Sequence, residues 1–443
     1  MAQQTGNLTS ISTPSVEGML TTVLAPIAAL LFSVSLLLMG NGLQGTLVPV
    51  RANMEAFSNI DLGLLGTAYF LGFTFGCVHG PLLIQRSGHI RAYLAMTSLA
   101  SVVALMQALY VDPVSWWALR ALTGYCFAVL YIVIESWLNA RSDNKTRGMV
   151  FSIYTAINLT VITAGQMMLA LADPRTFSLF AFTAILVSLA ALPIAFSHSA
   201  SPEQPEFVKP RIGKLFRISP VAAAGCFAVG LANGAFWALG PVFAQNEGFD
   251  ISEIAYFMSA VVLGGAVAQW PLGTLSDRMD RRLVMLGAAI IAMLAAVVLM
   301  LMPSADKLSL VLVGAVFGAG AFPLYALAVA HANDCAEQKE SVEVSSGLLL
   351  LYGIGAAVGP LMAAVWRDMF SAPSLFYFTA VVHVVLACYV VWRMSRRQAP
   401  EADHRVHFTE AAIVAQTVLP IEPHAVSASA ADDDVEADTQ QRS

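Results

Sequence analysis

The chain has 443 residues, of which 57 % are apolar and only 12 % are Asp, Glu, Lys or Arg, with a formal net charge of -6 at pH 7. Soluble domains carry about one-quarter charged residues, so this composition points to lipid as the solvent, and the small net charge leaves no footprint for nucleic acid. Much of the acid is concentrated at the C-terminus, in Asp432, Asp433, Asp434, Glu436 and Asp438.

Crossing hydrocarbon takes about 20 mostly apolar residues, and such windows recur along the chain. Residues 1–19 hold no Lys or Arg and precede an apolar segment longer than the core of a signal peptide, which is expected to remain as the first span. That span, near 20–50, carries the amides Asn41 and Gln44 within "GNGLQGTLVPV". The second, near 61–84, runs into "PLLIQRSGHIR", which contains Gln85, Arg86 and Gly88; the third lies near 90–111.

The fourth span, near 115–139, is unusual in holding Arg120, Tyr131 and Glu135. An Arg near the centre of a membrane helix costs about 2.5–3.5 kcal/mol, so intramembrane bases are candidates for function. Arg120 reads as a cavity-lining cation that binds an anionic group or tunes a proton site, or as one that snorkels to the interface. Glu135 is fifteen residues further, about 22 Å along the axis, too far to pair with Arg120. It reads as a proton carrier or as the ion-pair partner of Arg86 or Arg91.

Spans five and six lie near 147–172 and 176–197 and are followed by the polar segment "SHSASPEQPEFVKPRIGKLFRIS". It separates an N-terminal six-span unit (20–197) from a C-terminal one (218–397), with 198–217 as linker. The second unit opens with a span near 218–246 bearing Asn233 and Trp237, then one near 251–275 bearing Gln269. Next comes "QWPLGTLSDRMDRRLVM", the densest cluster of charge in the apolar region. Spans near 282–303, 307–333, 341–368 and 373–395 complete twelve, with Tyr325 and His331 in the tenth and Tyr352 in the eleventh. Residues 398–443 are Ala-, Ser- and acid-rich and expected to be a disordered tail. Continuous apolar runs call for helices and not a barrel. Amides in spans more often join helices than bind ligands, and lone aromatics more often pack, so each polar candidate carries that competing reading.

Alternate connections hold eighteen Lys and Arg against four, the remaining base being Arg120. The positive-inside rule then puts both termini in the cytoplasm of a cell whose inner membrane the chain spans. The five cysteines form no metal- or redox-type pair, and no phosphate-binding loop is present. Neither an enzyme, a metal nor a cofactor is expected.

The halves repeat. Asn41, Gly42, Pro49 and Val50 match Asn233, Gly234, Pro241 and Val242 at an offset of 192, and Gly124, Tyr131, Asn139 and Lys145 match Gly318, Tyr325, Asn333 and Lys339 at 194. Weak repeats of this kind mark secondary transporters, whose substrates bind between the halves.

The charged stretch reads G-x-x-x-D-R-x-D-R-R from Gly273 to Arg282 and resembles the signature loop of the major facilitator superfamily. Gly273, Asp277, Arg278, Arg281 and Arg282 fall on family positions, and Asp280 stands where the family prefers Gly. "PLLIQRSGHIR" is a degraded second copy in which Gln85 replaces the acid and His89 the first base. "RALTGY" resembles the family's R-x-x-x-G pattern in span four. "VIESWL" and "AQWPLG", the latter from Ala268, are similar to the YcaD-like permeases. The resemblance implies two pseudo-symmetric six-helix bundles and a loop that braces opposite halves. A monomeric, bilayer-embedded carrier of a small organic solute is then expected, and the buried carboxyl of Glu135, with Arg120 in support, is the candidate for proton coupling. An uncoupled facilitator, a drug-type exporter or a non-transporting sensor remain alternatives.

Overall fold

The computed structural model describes residues 27–142, 146–196, 212–302, 306–336, 340–370 and 374–396. The tails 1–19 and 398–443 and linker residues 198–211 lie outside the described residues. Among the described residues there is no strand, and twelve helices are long and apolar enough to cross a membrane. In chain order they are α1 (Ala28–Met54), α2 (Asn59–Ser87), α3 (His89–Leu109), α4 (Pro113–Ala140), α5 (Arg147–Met167) and α6 (Ser178–Ala195). A short linker helix, Ile212–Ile218, leads into α7 (Pro220–Asn246), α8 (Ile251–Arg278) and α9 (Arg281–Leu301). Then come α10 in two segments (Lys307–Ala321 and Pro323–Cys335), α11 (Ser341–Phe370) and α12 (Ser374–Arg396). The tenth span, expected as one run, breaks at Phe322 because Pro323 has no amide hydrogen to donate and its ring crowds the preceding turn.

Helix starts leave backbone amides open, and short polar side chains take them. Ser58 and Asp61 form a reciprocal capping box at α2, as Asp250 and Glu253 do at α8. Each partner of one box lies 192 residues from its counterpart in the other, so the repeat governs the turns as well as the spans.

Glycine contacts follow the same rule. A Cβ on Gly124 of α4 would strike the Tyr69 carbonyl of α2, and one on Gly318 of α10 would strike the Val261 carbonyl of α8. Gly72 abuts Ala121 as Gly264 abuts Ala315, and Gly42 abuts Ile162 as Gly234 abuts Ala356. Close backbone approach through small residues is how membrane helices gain packing energy without a hydrophobic drive between them. The pairs α2·α4 and α8·α10, and likewise α1·α5 and α7·α11, are therefore one construction used twice.

The halves meet through α2 against α11 and α7, α1 against α7, and α5 against α8. The side on which α1 begins and α12 ends is here the terminal side, and the opposite one the far side. On the far side one apolar cluster draws on both halves, including Leu47, Leu62 and Trp116 from the first and Phe243, Phe257 and Ala363 from the second. Toward the terminal side the core divides. Val34, Tyr93 and Leu130 belong to a cluster of the first half, and Cys226, Met285 and Leu348 to one of the second. The interior is thus a wedge, joined at the far side and split at the terminal side. Polar clasps reinforce the joined end: Asn53 Nδ2 donates to Gln245 Oε1 at 2.8 Å, Asn59 Nδ2 to Asp368 Oδ1 at 2.6 Å, and Ser259 Oγ to Gln166 Oε1 at 3.5 Å.

Candidate functional site

One wall of the wedge is built on α4. Arg120 and Gly124 are one turn apart and share a face. Because Gly124 lets α2 press against α4 at Tyr69, the Tyr69 ring comes to lie 4.5 Å from the Arg120 guanidinium. Arg120 is only 7 % exposed, and its Nε has no hydrogen-bond partner. Among the described residues it has neither an ion pair nor a hydrogen bond. A desolvated cation–π contact contributes about 2 kcal/mol, less than the several kcal/mol that withdrawing an ion from water costs. The guanidinium is electrostatically incomplete.

Asn41 of α1 lies beside both Tyr69 and Tyr131, which extends Arg120 into a polar strip. Further toward the terminal side Glu135, 2 % exposed, lies near Tyr131, Tyr154 and Cys77. Arg86 and Arg91, the partners considered for it from sequence, are exposed.

The opposite wall carries Asn233, the repeat counterpart of Asn41. It is buried, lies beside Tyr352, and its Oδ1 has no partner. The Tyr352 ring stands 4.8 Å from that of Tyr325, which lies near Cys77 of the first half. Asn41, Tyr69, Cys77, Tyr131, Tyr325 and Tyr352 are partly exposed although they sit inside the bundle, as side chains lining a wedge must be.

Other expected residues take different places. Gln44 donates Nε2 to Gln107 Oε1 at 2.8 Å, both side chains being buried, and so ties α1 to α3 instead of lining the wedge. Trp237 stacks on Phe322 at the break in α10, with centroids 5.7 Å apart, a packing role. Gln269 is half-buried beside the outward-facing Trp270, and His331 is buried near the end of α10. Tyr69, Cys77 and Tyr154 escaped sequence reading, because "TAYFLGF" is an ordinary apolar run and neither its depth nor its facing partner is written in it. Among the described residues no group of His, Cys, Asp and Glu is placed to hold a metal ion.

The charged loop joins α8 to α9. Asp280 caps α9 with φ -62° and ψ 118°, its side chain accepting from the Arg282 amide, so the turn needs no glycine. The first-half equivalent is Gly88 at φ 80°, a conformation that glycine alone adopts without strain. Buried Arg281 donates Nε to Asp334 at 2.6 Å and Nη1 to Ser276 at 2.9 Å, and stands 3.2 Å from Asp277. Arg282 pairs with Asp280 at 2.7 Å. Burial pushes the Asp280 carboxyl up, but the Arg282 hydrogen bonds outweigh it and hold the group below its usual range. Gly273 is buried and Arg278 exposed.

By the repeat offsets Asp277, Arg281 and Asp334 correspond to Gln85, His89 and Ala140. The first half has lost acid, base and acceptor together, and His89 instead packs on Trp137, with ring centroids 6.1 Å apart. Where the resemblance implied a brace between halves, these charges are bound within the second half in this conformation.

The family model described as Major Facilitator Superfamily matches residues 30–321 and 222–424. An uncharacterized MFS-type transporter of Enterobacter sp. (strain 638) is 26 % identical over 379 residues, 85 % of this chain and 98 % of that protein. The uncharacterized MFS-type transporter YcaD of Escherichia coli is 25 % identical over 368 residues, 83 % of this chain and 95 % of its own. Among solved structures, the nucleoside transporter NupG aligns with TM-score 0.69 at 14 % identity, over 84 % of this chain and 99 % of NupG. A bacterial homolog of the human lysosomal transporter Spinster, inward-facing and occupied, aligns at 0.68 and 15 % identity, over 86 % and 97 %. FucP in the outward conformation aligns at 0.54 and 14 %, over 84 % and 99 %.

Proposed function

The chain belongs to the major facilitator superfamily, and we propose that it is a proton-coupled secondary transporter that moves a small organic solute by alternating access. The proposed setting is the cytoplasmic (inner) membrane, with both termini and the charged loop in the cytoplasm and a single chain as the working unit. The excess of Lys and Arg in the connections on the terminal side supports that orientation. In it the wedge is open to the cytoplasm and clasped at the outside, an inward-facing state.

One observation carries the reading. Matched polar side chains of the two halves, Asn41 with Tyr131 and Asn233 with Tyr325 and Tyr352, face a common interior where the apolar core divides. An amide that only joins helices hydrogen-bonds across their interface, whereas the buried Asn233 Oδ1 has no partner. Substrate binds between these walls, and the far-side clasps open as the terminal side closes. The loop Gly273, Asp277, Arg278, Arg281, Arg282 and its degraded partner Gln85, Arg86, Gly88 act as unequal latches on the terminal side. Glu135 carries the coupled proton, since it is buried at the side of the wedge and linked through Tyr131 to the polar strip.

In proteoliposomes with an imposed pH gradient, wild type is expected to accumulate substrate, whereas Glu135→Gln exchanges substrate without responding to the gradient. Unchanged pH-driven uptake by the variant rejects the coupling role. Transport that survives an uncoupler in wild type identifies a facilitator of the same fold instead.

A further inference from the structure

Resting on the transporter reading above, we infer that Arg120 is an anion receptor and that the solute is a small organic monoanion, its carboxylate on Arg120 and its hydrogen-bonding body between Asn41 and Asn233. The first ground is chemical. A guanidinium offers a planar fork of donors that matches a carboxylate. Here that fork is more than nine-tenths buried, has a ring but no acceptor among the described residues, and leaves Nε unpartnered. Glu135 is too far along the same helix to serve it.

The second ground is that the fold does not need this cation. The second half builds the same helix contact, Gly318 on Val261, that the first builds with Gly124 on Tyr69. Yet the position 194 residues after Arg120 is Gly314, which is covered by Phe257 and Val261. Packing of this motif is complete without a charge, so Arg120 answers another requirement.

The third ground is access and polarity. The strip from Arg120 runs through Tyr69, Asn41 and Tyr131 to side chains partly exposed in the wedge. On the facing wall the buried, unpartnered Oδ1 of Asn233 is an acceptor awaiting a donor, which a hydroxyl or amine on the solute supplies. With a single base in the strip, a second negative charge would find no counterpart.

The test uses the purified full-length protein in detergent and follows thermal unfolding with nicotinate, lactate and benzoate, each beside its primary amide, and with choline. At least one acid is expected to stabilise wild type while its amide does not. Arg120→Lys should keep part of the response, and Arg120→Gln should weaken affinity by about 10- to 100-fold, the worth of hydrogen bonds to a charged group. Amides or choline acting as strongly as the acids overturn the assignment, as does an undiminished response in Arg120→Gln.

If no probe responds, the ligand-free proteins decide. A higher melting temperature in Arg120→Met than in wild type shows an uncompensated charge and upholds the assignment. A lower one makes Arg120 a structural clasp and overturns it. Transport is read separately: an acid that binds but is not exchanged by proteoliposomes rejects the transporter reading and leaves the receptor standing.

Discussion

Asp334 shows how much a single buried partner matters. It accepts from Arg281 in a pair whose side chains are both almost wholly buried, and removing one member of such a pair typically costs about 3–5 kcal/mol. Asp334→Ala is therefore expected to lower stability by about 3 kcal/mol, measured by denaturant unfolding in detergent. Asp280 bears on pH. Its carboxyl is held below the ordinary range, so its contribution is fully present above the unfolded value and is lost as pH falls through the folded one. Asp280→Asn should lower stability at neutral pH, leave the acid extreme little changed, and so flatten the acid limb of the stability profile. At this scale the sequence was selectively informative. Arg120 and Glu135 stood out because charge in an apolar run is costly. Tyr69 and Gln107 did not, because their significance lies in a contact with another helix, and Gln44, open to lining the cavity or joining helices, bonds to Gln107.

The helices were legible as apolar windows, since each depends on residues close in sequence. The break of α10 at Pro323 was missed because a proline within a long apolar run is compatible with either a kinked or an interrupted helix. The repeat was visible in a few identities, but its physical content, matched glycines bringing the same helix pairs together, needed three dimensions. Gly124→Ala and Gly318→Ala place a Cβ against backbone that cannot move aside cheaply. Each is expected to destabilise by about 2 kcal/mol or more, as overpacking does. Gly45→Ala, with no atom within 4 Å of its Cβ, should be neutral or gain up to about 1 kcal/mol from helix propensity. Equal melting temperatures for all three would contradict the packing role.

For the whole molecule, alternating access requires the far-side clasps to separate in each cycle. Asn59 and Asp368 touch across α2 and α11, so a cysteine pair at those positions, Asn59→Cys with Asp368→Cys, should cross-link readily. Transport should stop on oxidation and return on reduction; undiminished transport by the oxidised protein would show that this end need not open. The direction of the wedge could not be read from sequence, because one chain must accommodate both openings and its apolar pattern is common to them. The incomplete guanidinium also has an electrical consequence. A full elementary charge crossing the membrane exchanges about 2.3 kcal/mol with each 100 mV of potential. An empty protein holding Arg120 within the apolar thickness feels that field wherever rearrangement shifts the charge or the water reaching it. A bound monoanion cancels the charge, which leaves voltage its grip on the empty half of the cycle.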